Sequence, residues 1–501
     1  MFQSHSILLH EPWAQAAYDC VTGPVPMRSA QRLLLAASCL LCFGLLKRMW
    51  DGAAPRSQQT AGWARHHTGV SKSPAQNATG DRSAERSRPR ACPDAADIHD
   101  IVIILKTGST EIYDKLPHHF ATTFACGVDY LIYSDLRQQF GHVEIRDALA
   151  MVSEELREEH EDLAQYRTLQ QHVLNGGDPG ELRGEKSWQL DKWKFLPMVG
   201  DAYQTFGDQK KWYVFIEADT YLSLHNLLLW LRQVDHRRPI YAGAQVMIGD
   251  TEFAHGGSGF LLSSAAAKGL GAAYRKEQRR WEHRLAGECC GDKVMAEVMV
   301  EASPPVRLLR AFPLIQGETL ASLDWSPTHW CMPAVTWHHV DAAGLDKLWQ
   351  FESAWQVRHG TEKPILFADY YTALVRPRIV SANGTLRQWD NLSKDWVFDC
   401  RGVLNPACES AIACEAFCRD SPACLQWAWT TNVCRGSTVV KLGWALHNRP
   451  ALGSAEDRVA KADAEAGQGS VSGRLVDRID AFTSGIGACE QKMHWVTEND
   501  A

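Results

Sequence analysis

Residues Lys211 to Leu224 read KWYVFIEADTYLSL. Trp212 to Ile216 is an unbroken apolar run and reads as a buried strand. It ends in two carboxylates, Glu217 and Asp219, set one residue apart. A carboxylate at the end of such a strand requires a cation or an opening to solvent. Two readings stand here. Oxygens projecting from a strand end can hold a hard divalent cation, Mg2+ or Mn2+, the usual counter-charge of a diphosphate. Equally, Asp219 or Thr220 can cap a helix starting near Ser223. An E-x-D triplet decides nothing by itself, because 22% charged residues produce several by composition.

Upstream, IHDIVIILKT contains the β-branched run Ile101 to Leu105, then a helical stretch and VDYLIYSD, Val128 to Asp135. The segment Met151 to Gly184 is charged and helical, and Lys186 to Tyr203 spaces Trp188, Trp193, Phe195 and Leu196 as an amphipathic helix does. Short apolar strands alternating with helices predict an open α/β sheet, and such sheets bind ligands beyond the carboxyl ends of their strands. Glu217 and Asp219 sit at such an end. After about Asp395 the alternation stops and a cysteine-dense unit follows.

The chain's 501 residues and 45% hydrophobic content allow one core of roughly 250 to 300 residues plus a smaller unit. A net charge of −7 excludes the basic excess that a nucleic-acid partner needs. Leu33 to Leu46, LLLAASCLLCFGLL, lies between basic residues. As a helix it covers about 21 Å, short of a bilayer core of roughly 27 Å unless the flanks contribute. A signal anchor over 29–50 is the favoured reading, with a cleaved signal peptide or a buried helix as alternatives. Residues 1–28 then form a cytosolic tail and 51–97, rich in small and polar residues, a solvated stem. Of fifteen cysteines, setting aside Cys20, Cys39 and Cys42 leaves twelve, an even number. That count, with N-x-S/T tripeptides at Asn77, Asn383 and Asn391, points to an oxidising lumen.

Three further stretches carry candidate chemistry. In FAHGGSGFLLS, Gly256, Gly257 and Gly259 let the backbone approach a ligand, although an ordinary tight turn before a strand explains them as well. In GECCGDKVMAEVM, Asp292 stands at a helix start and can be no more than a cap. WCMPAVTWHHVDA ends a strand in His338 and His339, where a histidine is a ligand or simply structural.

Taken in order, these stretches resemble glycosyltransferase family 31, the group of Fringe and the core 1 β1,3-galactosyltransferases, in its fungal form with a C-terminal PAN/apple-like module. The resemblance covers Asp97 to Arg376 and then Cys400 to Cys489. E-A-D-T-Y, Glu217 to Tyr221, stands where the family has D-D-D-T-Y. The family's middle Asp is replaced by Ala218. A GT-A, Rossmann-like catalytic domain over 98–394 is implied, followed by a small disulfide-rich module over 395–492. So is an inverting, metal-dependent transfer from a UDP-sugar to a glycan or glycoprotein acceptor, forming a β1,3 linkage on the lumenal side of a Golgi or ER membrane as a single-pass type II protein. The implied roles are metal ligation (Mn2+ or Mg2+) by Asp219, His338 and, less securely, Glu217, and general-base catalysis by Asp292. Donor or acceptor contacts would come from Gly256, Gly257 and Gly259, with Thr107 and Lys194 as further candidates near the donor. For Lys192 to Lys194 a solvated helical face is the slightly favoured reading. Within CESAIACEAFCRDSPACLQWAWTTNVC the resemblance implies the pairs Cys414 with Cys434 and Cys418 with Cys424. The competing class is a catalytically silent glycan- or protein-binding protein on the same fold, a reading that Ala218 favours.

Overall fold

Two adjacent strands, β1 (Ile101–Lys106) and β5 (Trp212–Glu217), run parallel in full register from Ile101 beside Trp212 to Lys106 beside Glu217. Their continuous apolar sequences are explained by burial on both faces. Ile101, Ile103, Leu105, Val214 and Ile216 enter one apolar cluster, while Val102, Ile104, Tyr213 and Phe215 enter the other. Each fully buried Val, Ile or Phe contributes about 1.5–3 kcal/mol, so this central pair anchors the sheet.

The computed structural model describes residues 92–93, 96–381, 384–400, 405–431, 433–446 and 470–500. The expected tail and anchor, and the tripeptides at Asn77 and Asn383, lie outside these. Among the described residues no helix is long and apolar enough to cross a membrane.

The remaining strands of the main sheet are β2 (Asp129–Ser134), β3 (Gln138–Phe140), β4 (Val143–Asp147), β6 (Tyr241–Gly243), β7 (Phe260–Ser263) and β8 (Leu308–Arg310). Their order is β8-β6-β7-β5-β1-β2-β4-β3, parallel except where β7 and β3 run against their neighbours. Helices cover both faces. On one side lie α1 (Ile112–Ala121), α3 (Leu224–Leu231) and α6 (Ala342–His359). On the other lie α2 (Phe195–Phe206), α4 (Ser264–Lys276) and α5 (Gly291–Glu301). β1, β2 and β5 therefore point their carboxyl ends toward one edge.

The C-terminal module is a five-stranded antiparallel sheet: β9 (Thr385–Arg387), β10 (Trp396–Asp399), β11 (Gln426–Thr430), β12 (Val433–Ser437) and β13 (Val471–Arg474), in the order β9-β13-β11-β12-β10. One helix, α7 (Ala411–Asp420), carries Cys414 and Cys418, which bond to Cys434 and Cys424. Because β9 belongs to it, the module starts about ten residues ahead of the expected boundary. It is tied to the α/β part: Trp325 and Val440 share a backbone hydrogen bond of 3.0 Å, and Cys331 is bonded to Cys489. Cys92, inside the expected stem, is bonded to Cys126.

The tripeptide at Asn391 needs a correction. Its side chain is fully buried, and Nδ2 donates to the carbonyls of Trp427 (2.9 Å) and Gly473 (3.2 Å). A tripeptide carries no information about burial, and in the folded chain this nitrogen is not available as a glycan acceptor.

Candidate active site

The carboxylates at the end of β5 are arranged by the chain just beyond them. Tyr221–Leu222 pairs antiparallel with Thr336–Trp337, and the Val340 amide donates to the Asp219 carbonyl at 2.9 Å. This short ladder carries His338 to Asp219, with Nε2 3.6 Å from Oδ1. His339 reaches the same carboxylate, Nδ1 lying 3.9 Å from Oδ2, because its backbone adopts φ 55° and turns the side chain back. The cap reading fails: Ser223 caps α3, its hydroxyl accepting the Asn226 amide.

Ligand atoms of Asp219, His338 and His339 all lie within 4.8 Å of one another. The protonation of Asp219 and His338 suits a cation. Burial opposes ionisation of Asp219, but His339, Lys115 and His338 outweigh it and hold the carboxyl well below the usual range. Burial pushes His338 down to about 3 against the pull of Asp219, leaving a neutral imidazole whose Nδ1 is buried without a hydrogen-bond partner. The ionised Asp219 oxygen and the neutral His338 imidazole form a donor set that fits a divalent metal, and His339, whose pKa is raised by its hydrogen bond to Asp219, joins them on giving up its proton.

Glu217 faces elsewhere. Its Oε1 lies 2.9 Å from the Lys106 ammonium, and it is not among the three grouped ligands. Burial raises its pKa and Lys106 opposes that rise. Lys106, which is buried, also pairs with Asp191. Ala218 points its methyl into the apolar core, and its carbonyl accepts from Nε2 of the buried His119 at 2.8 Å. The middle of the triplet thus contributes through its backbone.

The glycine stretch touches both the ligand set and Asp292. A Cβ on Gly257 would lie 2.3 Å from Cε1 of His338, and the Gly257 carbonyl accepts the Thr220 hydroxyl at 2.8 Å. The Gly256 amide donates to Oδ2 of Asp292 at 2.8 Å, and a Cβ there would strike the Phe195 ring at 2.5 Å. Gly259, at φ 84°, turns the chain into β7. Close approach, and not merely a turn, accounts for the first two glycines. Asp292 is not the N-cap residue: it is the second residue of α5, and its other oxygen accepts the first-turn amide of Lys293. Burial raises its pKa against the Gly256 hydrogen bond and the nearby His255.

Lys194 corrects the solvated-face reading. It and Trp193 are buried, and the Lys194 ammonium donates to the Thr107 carbonyl (2.8 Å) while pairing with Asp135 (3.1 Å) and Asp191 (3.2 Å). Trp188, grouped with the buried aromatics by its spacing, is exposed instead. Thr107 is buried just past the end of β1, between Tyr133 and Lys194. Sequence reasoning misses Lys106, Asp191, Lys115, His119 and His339. Of these, His339 and Lys106 have a signal, the doubled histidine and the cation closing the first apolar strand.

One chain of contacts therefore runs from Asp219 to His338, to Gly257 and Gly256, and to Asp292. Residues 184–299 match the Fringe-like family model. The match spans Glu217, Asp219, the three glycines and Asp292, and supports sugar transfer as the class of activity. No curated protein matches the chain.

Proposed function

We propose that this protein is a metal-dependent inverting glycosyltransferase that moves a sugar from a UDP-sugar to a hydroxyl of a glycan or glycoprotein, forming a β1,3 linkage. The observation that carries the reading is the contact path that joins a metal-competent triad to a buried carboxylate through two glycines with no room for a side chain. Asp219, His338 and His339 would hold Mn2+ or Mg2+. When bound, such a cation supplies Lewis-acid stabilisation of negative charge on a departing diphosphate. Asp292 takes the proton from the acceptor hydroxyl as that oxygen attacks the anomeric carbon, and the bond from that carbon to the diphosphate oxygen breaks with its electron pair. Its raised pKa brings it nearer the strength a base needs at neutral pH. Gly256 holds the carboxylate in place through its amide. By the same reading the chain is a single-pass type II protein of a Golgi or ER membrane.

The test is donor hydrolysis and transfer with a panel of UDP-sugars and Mn2+, wild type against Asp292→Asn. Turnover with one donor, lost in the variant, is expected. A folded protein inert toward every donor would leave the silent binding protein as the correct reading.

A further inference from the structure

Cys289 and Cys290 are bonded to each other. The bond closes a small ring around the peptide between them and removes backbone freedom from the two residues ahead of α5. Cys290 is the N-cap residue of that helix, in an extended conformation and without a side-chain cap, and its carbonyl accepts the Val294 amide at 3.4 Å. Gly291 follows, pressed so closely on the chain before α2 that a Cβ would lie 2.2 Å from the Lys192 carbonyl oxygen. The Lys192 ammonium donates to the Glu288 carbonyl at 2.9 Å, and the Glu288 carboxylate pairs with Lys293 at 2.8 Å. The turn that delivers Asp292 is thus pinned on the Lys192 side by packing and on the other by the ring.

Accessibility separates this disulfide from the rest. Among the described residues each of the other five has at least one buried cysteine: Cys331, Cys408, and both halves of Cys92–Cys126, Cys414–Cys434 and Cys418–Cys424. Among the described residues, Cys289–Cys290 alone has an exposed half and a half-buried one.

We propose that the Cys289–Cys290 disulfide is a redox-sensitive positioning element that holds Asp292 against the Gly256 amide, and that a dithiol reductant opens it. A thiolate of the reductant attacks the sulfur of Cys289, the more exposed residue of the pair, the Cys289–Cys290 bond breaks, and Cys290 leaves as a thiolate that takes up a proton. The second thiol of the reductant, as thiolate, displaces Cys289 from the mixed disulfide, and Cys289 is protonated in turn. Two electrons pass to the protein and the reductant ends as a disulfide. Opening the ring frees the first turn of α5, and the carboxylate loses its fixed place. The catalytic consequence rests on the proposed function; the positional one does not.

The experiment uses the full chain, titrated with dithiothreitol, alkylated and mapped by mass spectrometry, with hydrogen–deuterium exchange followed over residues 255–259 and 291–299. Cys289–Cys290 is expected to open before the other five disulfides, and exchange in both segments to rise about tenfold. The transfer kcat is expected to fall by about tenfold or more while UDP–Mn2+ affinity holds. A variant combining Cys289→Ser and Cys290→Ser should show both changes without reductant and respond no further. Unchanged exchange in both segments once the ring is open overturns the proposal. If the oxidised protein transfers no sugar, the proposed function fails and the exchange data still decide the positioning role.

Discussion

Lys106 and Glu217 close two parallel strands as register partners, ammonium and carboxylate 2.9 Å apart. This pairing divides the labour within the E-A-D triplet. Glu217 neutralises a buried cation, whereas Asp219 faces the two histidines. Asp219→Ala is therefore expected to abolish Mn2+-dependent UDP binding, and Glu217→Ala only to weaken it. Because Lys106 keeps Asp191, losing Glu217 should cost about 1–3 kcal/mol of stability, below the full penalty of an orphaned buried charge. Isothermal titration of UDP with Mn2+, beside urea unfolding, checks both; unchanged affinity in the Asp219 variant refutes the division.

Gly257 admits no side chain because His338 occupies the space, at 2.3 Å from where Cβ would be. Gly257→Ala must displace the imidazole or the loop. Since His338 is one of three grouped ligands, Mn2+ affinity is expected to fall by about tenfold or more. Mn2+ titration followed by water-proton relaxation reads this directly. Wild-type affinity in the alanine variant would show that His338 does not ligate.

The open α/β sheet, the strand-end position of Asp219, and the candidates Gly256, Gly257 and Asp292 were legible because each lies in a local pattern: an apolar run, a glycine cluster, a helix start. What escaped depended on the fold. A strand points successive side chains to opposite faces, so one histidine of His338-His339 is the natural choice. The left-handed backbone of His339 breaks that alternation, and the two rings stack 3.8 Å apart on one carboxylate. Lys194 looked solvated because lysines on helices usually are. Its burial is compensated by Asp135 from the end of β2 and by Asp191, a convergence that no local spacing encodes.

Asp292 is expected to matter for rate and not for donor binding. Asp292→Asn keeps the shape and an oxygen for the Gly256 amide but removes the basic lone pair. The transfer kcat should fall by about 10²–10⁴, the usual worth of a general base, with UDP–Mn2+ affinity within about twofold. Since burial raises the Asp292 pKa, the acid limb of the wild-type rate should be displaced upward from the ordinary aspartate value. Steady-state kinetics across pH checks both, and a variant that retains most of its kcat removes Asp292 from the base role.

Behind the E-A-D triplet stands another buried acid. Glu352 on α6 accepts the Tyr370 hydroxyl at 2.6 Å and the Ser223 hydroxyl, the α3 cap, at 3.0 Å. Burial raises its pKa from 4.5 to about 7, against the lowering effect of those hydrogen bonds. With the folded-state value above the unfolded one, the stability contributed by the neutral carboxyl is fully present below about pH 4.5 and is lost as pH rises through about 7. At roughly 1.4 kcal/mol per pH unit, the loss amounts to about 3 kcal/mol. Glu352→Gln keeps the hydrogen-bonding shape without the titration. Urea unfolding should find the variant about 2–3 kcal/mol more stable than wild type at pH 8.5 and nearly equal at pH 4.5. The sign comes from ionisation in a buried site: at high pH the wild type must either charge Glu352 beside two hydroxyls or hold a proton against the solvent. A variant less stable than wild type at pH 8.5 would mean that the carboxylate form is the one the fold requires.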